Sequence, residues 1–265
     1  MNIASSGEFW LPMRPGVTVR GAFRADVGEK PEAVLDGALV EDPRVTRSGT
    51  SSVYTRGDAG GVKASLPITI QGRLDSGASV TMINAQNWGH PGPPFGLPEY
   101  LAHYAIVGDR NISGPGQLFS CTRFRFGDPY WLGLLQDGET AAVGLDGSTL
   151  SVDAADDGNW LLYTSASPVT QQRLHTVVIS GCLTLAELAL DQDFHARDTQ
   201  VRINDGDAWL TVHGPGANTP PKEFEYRTLL PREELTLERF ANWIPINDTL
   251  DGIGRAAARS IDGFL

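Results

Sequence analysis

Ser6-Gly7-Glu8-Phe9-Trp10-Leu11-Pro12, followed after Met13-Arg14-Pro15-Gly16 by Val17-Thr18-Val19-Arg20-Gly21-Ala22-Phe23, is the stretch whose reading decides the fold. Two short β-prone runs flank a turn rich in Pro and Gly, the pattern of a hairpin that begins almost at residue 1. Phe9 and Trp10 together carry on the order of several hundred Å² of apolar surface, so both are expected to be buried. A basic n-region and an apolar h-region are missing here, so the segment reads as a structural strand rather than a secretory signal.

Outward from this hairpin, β-branched or alternating runs recur at Ala33–Leu39, Leu66–Leu74, Ser79–Asn84, His103–Val107, Thr122–Phe126, Ser148–Val152, Asn159–Tyr163, Leu174–Ser180, Gln200–Ile203 and Ala208–His213. Asp75-Ser76-Gly77, Asp146-Gly147 and Asp205-Gly206 supply the positive-φ positions of tight turns between them. Helical signals are few. Leu183–His195 carries Thr184 as a cap with Glu187 completing a capping box. Glu233–Trp243 follows Pro231 with an apolar face, and Asn247–Leu265 has the spacing of an amphipathic helix. Glu41–Gly61 and Asn87–Pro98 read as surface excursions. The fold expected is mainly β: an antiparallel β-sandwich or barrel over residues 1–220 with one short helix, then a helical extension, or the start of a further region, over 221–265.

Thirty Gly and seventeen Pro against three Met suit many short strands better than long helices. No apolar run approaches the ~20 residues that span a bilayer. The net charge of −11, with only Lys63 and Lys222 beyond residue 31, argues against nucleic-acid binding by this chain alone. Cys121 and Cys182 lie far apart in a chain with no export signal, which favours buried free thiols in a cytoplasmic protein.

Leu74-Asp75-Ser76-Gly77-Ala78 resembles the signature of retroviral-type aspartic proteases, in which Asp75 would be the catalytic carboxylate of a homodimer. The competing reading is a hairpin turn between two strands, and Arg73 stands where that family has apolar residues. Asp191-Gln192-Asp193-Phe194-His195 suits a solvated helix end better than a metal site, and no histidine pair has ligand spacing, so no metal or cofactor is expected. A carbohydrate-binding β-sandwich is the remaining alternative, and it requires an exposed coplanar aromatic pair on one sheet face. The six tryptophans otherwise read as core, apart from Trp88 in its Pro-Gly loop.

Gly7-Glu8-Phe9-Trp10-Leu11-Pro12, Val19-Arg20-Gly21-Ala22-Phe23, Ile70-Gln71-Gly72-Arg73-Leu74 and Val80-Thr81-Met82-Ile83 form a series. Together with Phe124-Arg125-Phe126, Tyr130-Trp131 and Glu238-Arg239-Phe240-Ala241-Asn242-Trp243, it resembles the N-terminal domain of ApeA-like proteins, bacterial anti-phage (abortive infection) defence proteins that carry a HEPN ribonuclease. The resemblance implies a non-catalytic sensor or regulatory domain. Its implied partners are a HEPN nuclease region in cis or trans and a phage-derived ligand, with room for a homo-oligomer and with no membrane. The HEPN pattern, Arg then four to six residues then His, precedes none of the five histidines, so the chain is not expected to be an enzyme. Partner or ligand contacts are expected at Trp88, His90, Phe95 and Tyr100.

Overall fold

The computed structural model describes residues 2–40, 45–48, 51–54, 66–87, 97–126, 135–153, 159–190, 195–215 and 230–250. The chain divides into two compact units, Met1–Pro115 with His213–Pro215, and Gly116–Val212 with Gly216–Leu265. Both are mainly β, the first an antiparallel barrel and the second a sheet backed by helices.

The first unit contains β1 (Ile3–Trp10), β2 (Val19–Ala25), β3 (Glu32–Leu35), β6 (Ile68–Leu74), β7 (Ser79–Asn87), β8 (Glu99–Leu101) and β9 (Tyr104–Gly108). A separate hairpin, β4 (Val45–Ser48) with β5 (Ser51–Tyr54), forms within Glu41–Gly61, which the sequence presented as a loop. β1 pairs with β2, β2 with β3, β3 with β8, β8 with β7, β7 with β6, and β6 returns to β1, all antiparallel, so six strands close on themselves. Closure leaves these strands without a free edge. Inward-facing Phe9, Phe23, Leu35, Ile70, Leu74, Val80, Met82 and Tyr100 fill the interior as one apolar cluster.

Glycine at position 72 is a matter of space. A Cβ there would stand 2.6 Å from Phe9 Cδ1, because Phe9 is the direct cross-strand neighbour of Gly72 and lays its ring over it. At Gly7 the obstacle is backbone: a Cβ would lie 2.5 Å from the Arg73 carbonyl oxygen. The barrel therefore turns tightly where β1 meets β6, and an aromatic ring covers the bare backbone.

A second device sits in β7. Ile68 pairs with Ala85 but Ile70 with Met82, so Ile83 and Asn84 together oppose a single residue. This is a β-bulge, and Asn84 adopts φ +54°, a left-handed conformation that Asn tolerates better than most residues. The bend separates two pairings: Ser79–Ile83 lies along β9, whereas Gln86 and Asn87 lie along β8.

Phe9 is fully buried, as its apolar area requires, but Trp10 is not. Strand alternation turns Trp10 to the outside, where it is half-buried and its indole N–H donates to Gln71 Oε1 at 3.0 Å. Gln71 Nε2 in turn donates to the Ile112 carbonyl at 2.8 Å, tying the segment after β9 to the barrel wall.

In the second unit β10 (Leu118–Phe126), β11 (Thr140–Val143), β12 (Ser148–Asp153), β13 (Trp160–Thr170), β14 (Ala196–Arg202) and β15 (Leu210–His213) lie in the order β11-β12-β13-β10-β14-β15. Leu174–Ser180, expected as a strand from its β-branched run, is helical instead. The helical segment opens with α1 (Gln171–Arg173), capped by Thr170 Oγ1, which accepts from the Arg173 N–H. It continues as a π-helical turn over Leu174–Ile179 and then as α2 (Ser180–Leu190). Leu174, Val178, Cys182 and Ala186, spaced by four residues, are all buried. Packing of that stripe overrides the strand propensity of Val177-Val178-Ile179. Thr184 consequently lies inside the helix and does not cap it.

The helix expected over Glu233–Trp243 is shifted. A 3₁₀ turn, Arg232–Glu234, precedes α3 (Leu237–Thr249), whose cap is Thr236, with its hydroxyl accepting from the Arg239 N–H. α3 runs through Pro245, and Ile244 and Asn247 on either side of that proline are buried. It packs on α2 and on β11 and β12, and the Phe126 and Phe240 rings meet at 5.8 Å. Asn247–Leu265, read as an amphipathic helix, is described only to residue 250, where α3 is ending. No helix of the described residues is long and apolar enough to cross a membrane.

Gly72→Ala should destabilise the barrel by about 1–3 kcal/mol through overpacking against Phe9. Urea unfolding of Gly72→Ala, of Phe9→Leu and of the double variant checks this, with the double variant losing less than the sum of the two single losses.

Candidate functional site

Strand β10 has two chemically opposite faces. Phe124 points toward the helices and is fully buried, whereas alternation sends Arg123 and Arg125 to the other face. The register of β14 against β10 sets Gln200 directly opposite Arg123 and Asp198 directly opposite Arg125. Arg123 Nε donates to Gln200 Oε1 at 2.7 Å, and Arg125 Nε to Asp198 Oδ2 at 3.0 Å. From the other side β13 contributes Trp160, with Asp153 of β12 as its cross-strand neighbour.

The result is a ladder of alternating cations and indoles. Arg202 stacks 4.0 Å from the centroid of Trp209, and Arg123 stacks 4.5 Å from the same ring. Arg123 also stands 4.4 Å from Trp160, and Arg125 4.3 Å from that ring. Each contact adds roughly 0.5–2 kcal/mol, more as the cation is desolvated. Carboxylates neutralise the stack: Asp198 holds Arg125, Asp205 approaches Arg202 at 3.4 Å, and Asp153 approaches Arg123 at 3.8 Å. Burial, together with the like charges of Arg202 and Arg125, lowers the Arg123 pKa, against the pull of Asp153. A guanidinium remains charged under such conditions.

The ladder cross-links β12, β13, β10, β14 and the segment entering β15 with a rigid, charge-balanced stack. It is unsuited to sugar stacking, because each indole already has two guanidiniums within 4.5 Å of its centroid, and Trp160 is only 8% exposed. Sequence reading placed Trp160 and Trp209 in the core and quoted Phe124-Arg125-Phe126 only as a resemblance. A usable signal was present in Arg123-x-Arg125 facing Asp198-x-Gln200-x-Arg202, two strands with complementary polar residues at every second position.

Asp75 stands in the hairpin turn between β6 and β7, where the Gly77 N–H donates to the Leu74 carbonyl at 2.8 Å and Gly77 has φ +88°. Its carboxylate accepts both arms of the Arg20 guanidinium, at 2.9 and 3.0 Å. That hydrogen bonding holds the Asp75 carboxyl below its ordinary pKa. A carboxylate in a shared-proton protease dyad is tuned by a second acid, whereas the group facing Asp75 is a cation.

Tyr100, expected to contact a partner, is 1% exposed and belongs to the barrel core. Its hydroxyl accepts from the Leu39 N–H at 3.1 Å, and burial raises its pKa. Trp88, His90 and Phe95 lie outside the described residues, as do Tyr130, Trp131 and the string Asp191–Phe194. Cys121 and Cys182 are free and buried. Among the described residues no three His, Cys, Asp or Glu side chains converge as a metal site. In the first unit an open groove of about 680 Å³ has mixed charge, with Arg24, Asp26, Glu29, Lys30 and Glu32 in its lining. Arg24 is ion-paired with Asp26.

Arg123→Lys keeps the charge but loses the planar stack, so it should destabilise the second unit by about 1–2 kcal/mol. A double-mutant cycle of Arg123→Lys with Trp160→Leu in urea should return a coupling of similar size. Because the folded-state pKa of Asp75 lies below its unfolded value, its ion pair stabilises above the unfolded pKa of ~3.9 and is lost as pH falls through the folded value. Carboxyl ¹³C titration should place Asp75 below a normal aspartate and return it to normal in Arg20→Gln. Compared with family models, with curated proteins and with solved structures, the chain finds no match in any of the three.

Proposed function

We propose that this chain is a non-catalytic sensor or regulatory module of the ApeA-like anti-phage type, working in the cytoplasm with a HEPN nuclease region supplied in cis or trans. The observation that carries the reading is that, among the described residues, Asp75 and the ladder arginines are engaged with partners within the chain. Asp75 is held by Arg20, and the arginines of the ladder lie between indoles and carboxylates. Cys182 is buried, which pushes its thiol pKa up and away from nucleophilic use.

Of the stretches that carry the resemblance, two fall on β10 and α3, and four fall on β1, β2, β6 and β7, which are consecutive in the barrel wall. Gly7, Phe9 and Gly72 act there as packing partners, which suits a structural frame. Recognition by such a frame is a task for loops and outer faces.

The test is biochemical. The purified chain alone should cleave neither RNA nor an unstructured peptide, and it should co-purify with a separately expressed HEPN region of an ApeA-like protein. Peptide cleavage by the chain that is abolished in Asp75→Ala would replace this proposal with the protease reading. Failure to bind the HEPN region would remove the defence assignment.

A further inference from the structure

The seam between α2 and α3 carries polar atoms that the packing leaves without partners. Thr184 Oγ1, Trp243 Nε1 and Asn247 Oδ1 are each buried with no hydrogen-bond partner among the described residues. Thr184 is 1% and Asn247 6% exposed. Buried polar groups in folded proteins are nearly always satisfied, by protein or by ordered water.

The three atoms lie on α2 and α3, which pack against each other. Arg173, at the start of the helical segment, pairs with Asp248 at the end of α3 through hydrogen bonds of 2.8 and 2.6 Å. At the other end, the Leu230 N–H, a few residues before α3, donates to the Ala189 carbonyl near the end of α2. The helices are therefore antiparallel. A Cβ on Gly181 would lie 3.5 Å from Asn247 Nδ2 and 3.6 Å from Ile244 Cα, which fixes Gly181 opposite Asn247. One turn along α2 is Thr184, and one turn back along α3 is Trp243, so antiparallel packing brings that pair to the same stretch of the seam.

We propose that this seam binds an ordered water, held by Trp243 Nε1, Asn247 Oδ1 and Thr184 Oγ1. The three groups are chemically complementary to it. The indole N–H only donates, the amide oxygen only accepts, and the hydroxyl does either. A water that accepts from Trp243 and donates to Asn247 and Thr184 makes three hydrogen bonds, the usual number for a buried water. None of the three groups carries a charge, and the donor and acceptors they offer match those of a water molecule. The inference is independent of the regulatory reading.

The experiment is a water-selective NOE measurement on the ¹⁵N-labelled full chain, with the Trp243 indole resonance assigned by its loss in Trp243→Phe. A cross-peak from the indole N–H to long-lived water is expected. It should persist, though weaker, in Thr184→Val, where the hydroxyl proton able to relay the same signal is gone and the water keeps its bonds to Trp243 and Asn247. It should weaken severalfold in Asn247→Leu, which removes the acceptor that orients the water. No cross-peak in the native chain, or its disappearance in Thr184→Val, would overturn the proposal. A high-resolution crystal structure gives a second readout that needs no variant. A density peak about 2.7–3.2 Å from both Trp243 Nε1 and Asn247 Oδ1 supports the site, and a direct bond between those side chains refutes it.

Discussion

The contact of the Phe9 ring with the bare backbone of Gly72 is the constraint on which the first unit depends. Any side chain at 72 would meet that ring, and any side chain at 7 would meet the carbonyl of Arg73. With both positions empty, β6 can return to β1 and complete the circuit of six strands. The ring then does two jobs, covering the glycine and anchoring the apolar interior with Phe23, Met82 and Tyr100. Closure needs one more bend, at Asn84, where the bulge turns β7 from β9 toward β8.

The second unit is organised by the two-sidedness of β10. Its aromatic face receives Phe240 through Phe126, while its cationic face is built into a stack with Trp160 and Trp209. In a chain of net charge −11, these arginines do not form an anion-attracting surface. Asp198, Asp153 and Asp205 neutralise them locally, and the indoles occupy the guanidinium planes. An arrangement of this kind stiffens a sheet face, because each guanidinium is fixed by stacking and by hydrogen bonds at once.

Most strands were legible as short alternating runs, since the period of two is imposed by the pleat itself. The turn at Asp75 was legible for a similar reason: Asp-Ser-Gly supplies the backbone freedom that the hairpin needs. The run Leu174–Ser180 misled because its β-branched residues have strand propensity, while the four-residue burial stripe from Leu174 to Ala186 prevailed in the folded chain. Tyr100 was expected to meet a partner or ligand, yet β8 places it inside the barrel. Trp10 looked buried because it is large, but its neighbour Phe9 already held the inward position. The ladder was the least legible feature, since its five members come from β10, β13, β14 and the segment before β15, which are far apart in sequence.

Sequence alone determined the class of this protein, a mainly β chain whose first hairpin begins near residue 1. The glycine, proline and alternating apolar positions act locally, and local rules suffice to recognise them. Tertiary structure alone decided that the first strands close into a barrel, which face of β10 would be aromatic and which cationic, and which polar groups of α2 and α3 would be buried without partners. Those outcomes depend on register between strands and on the packing of helices, and register is a relation between distant segments that no single segment encodes.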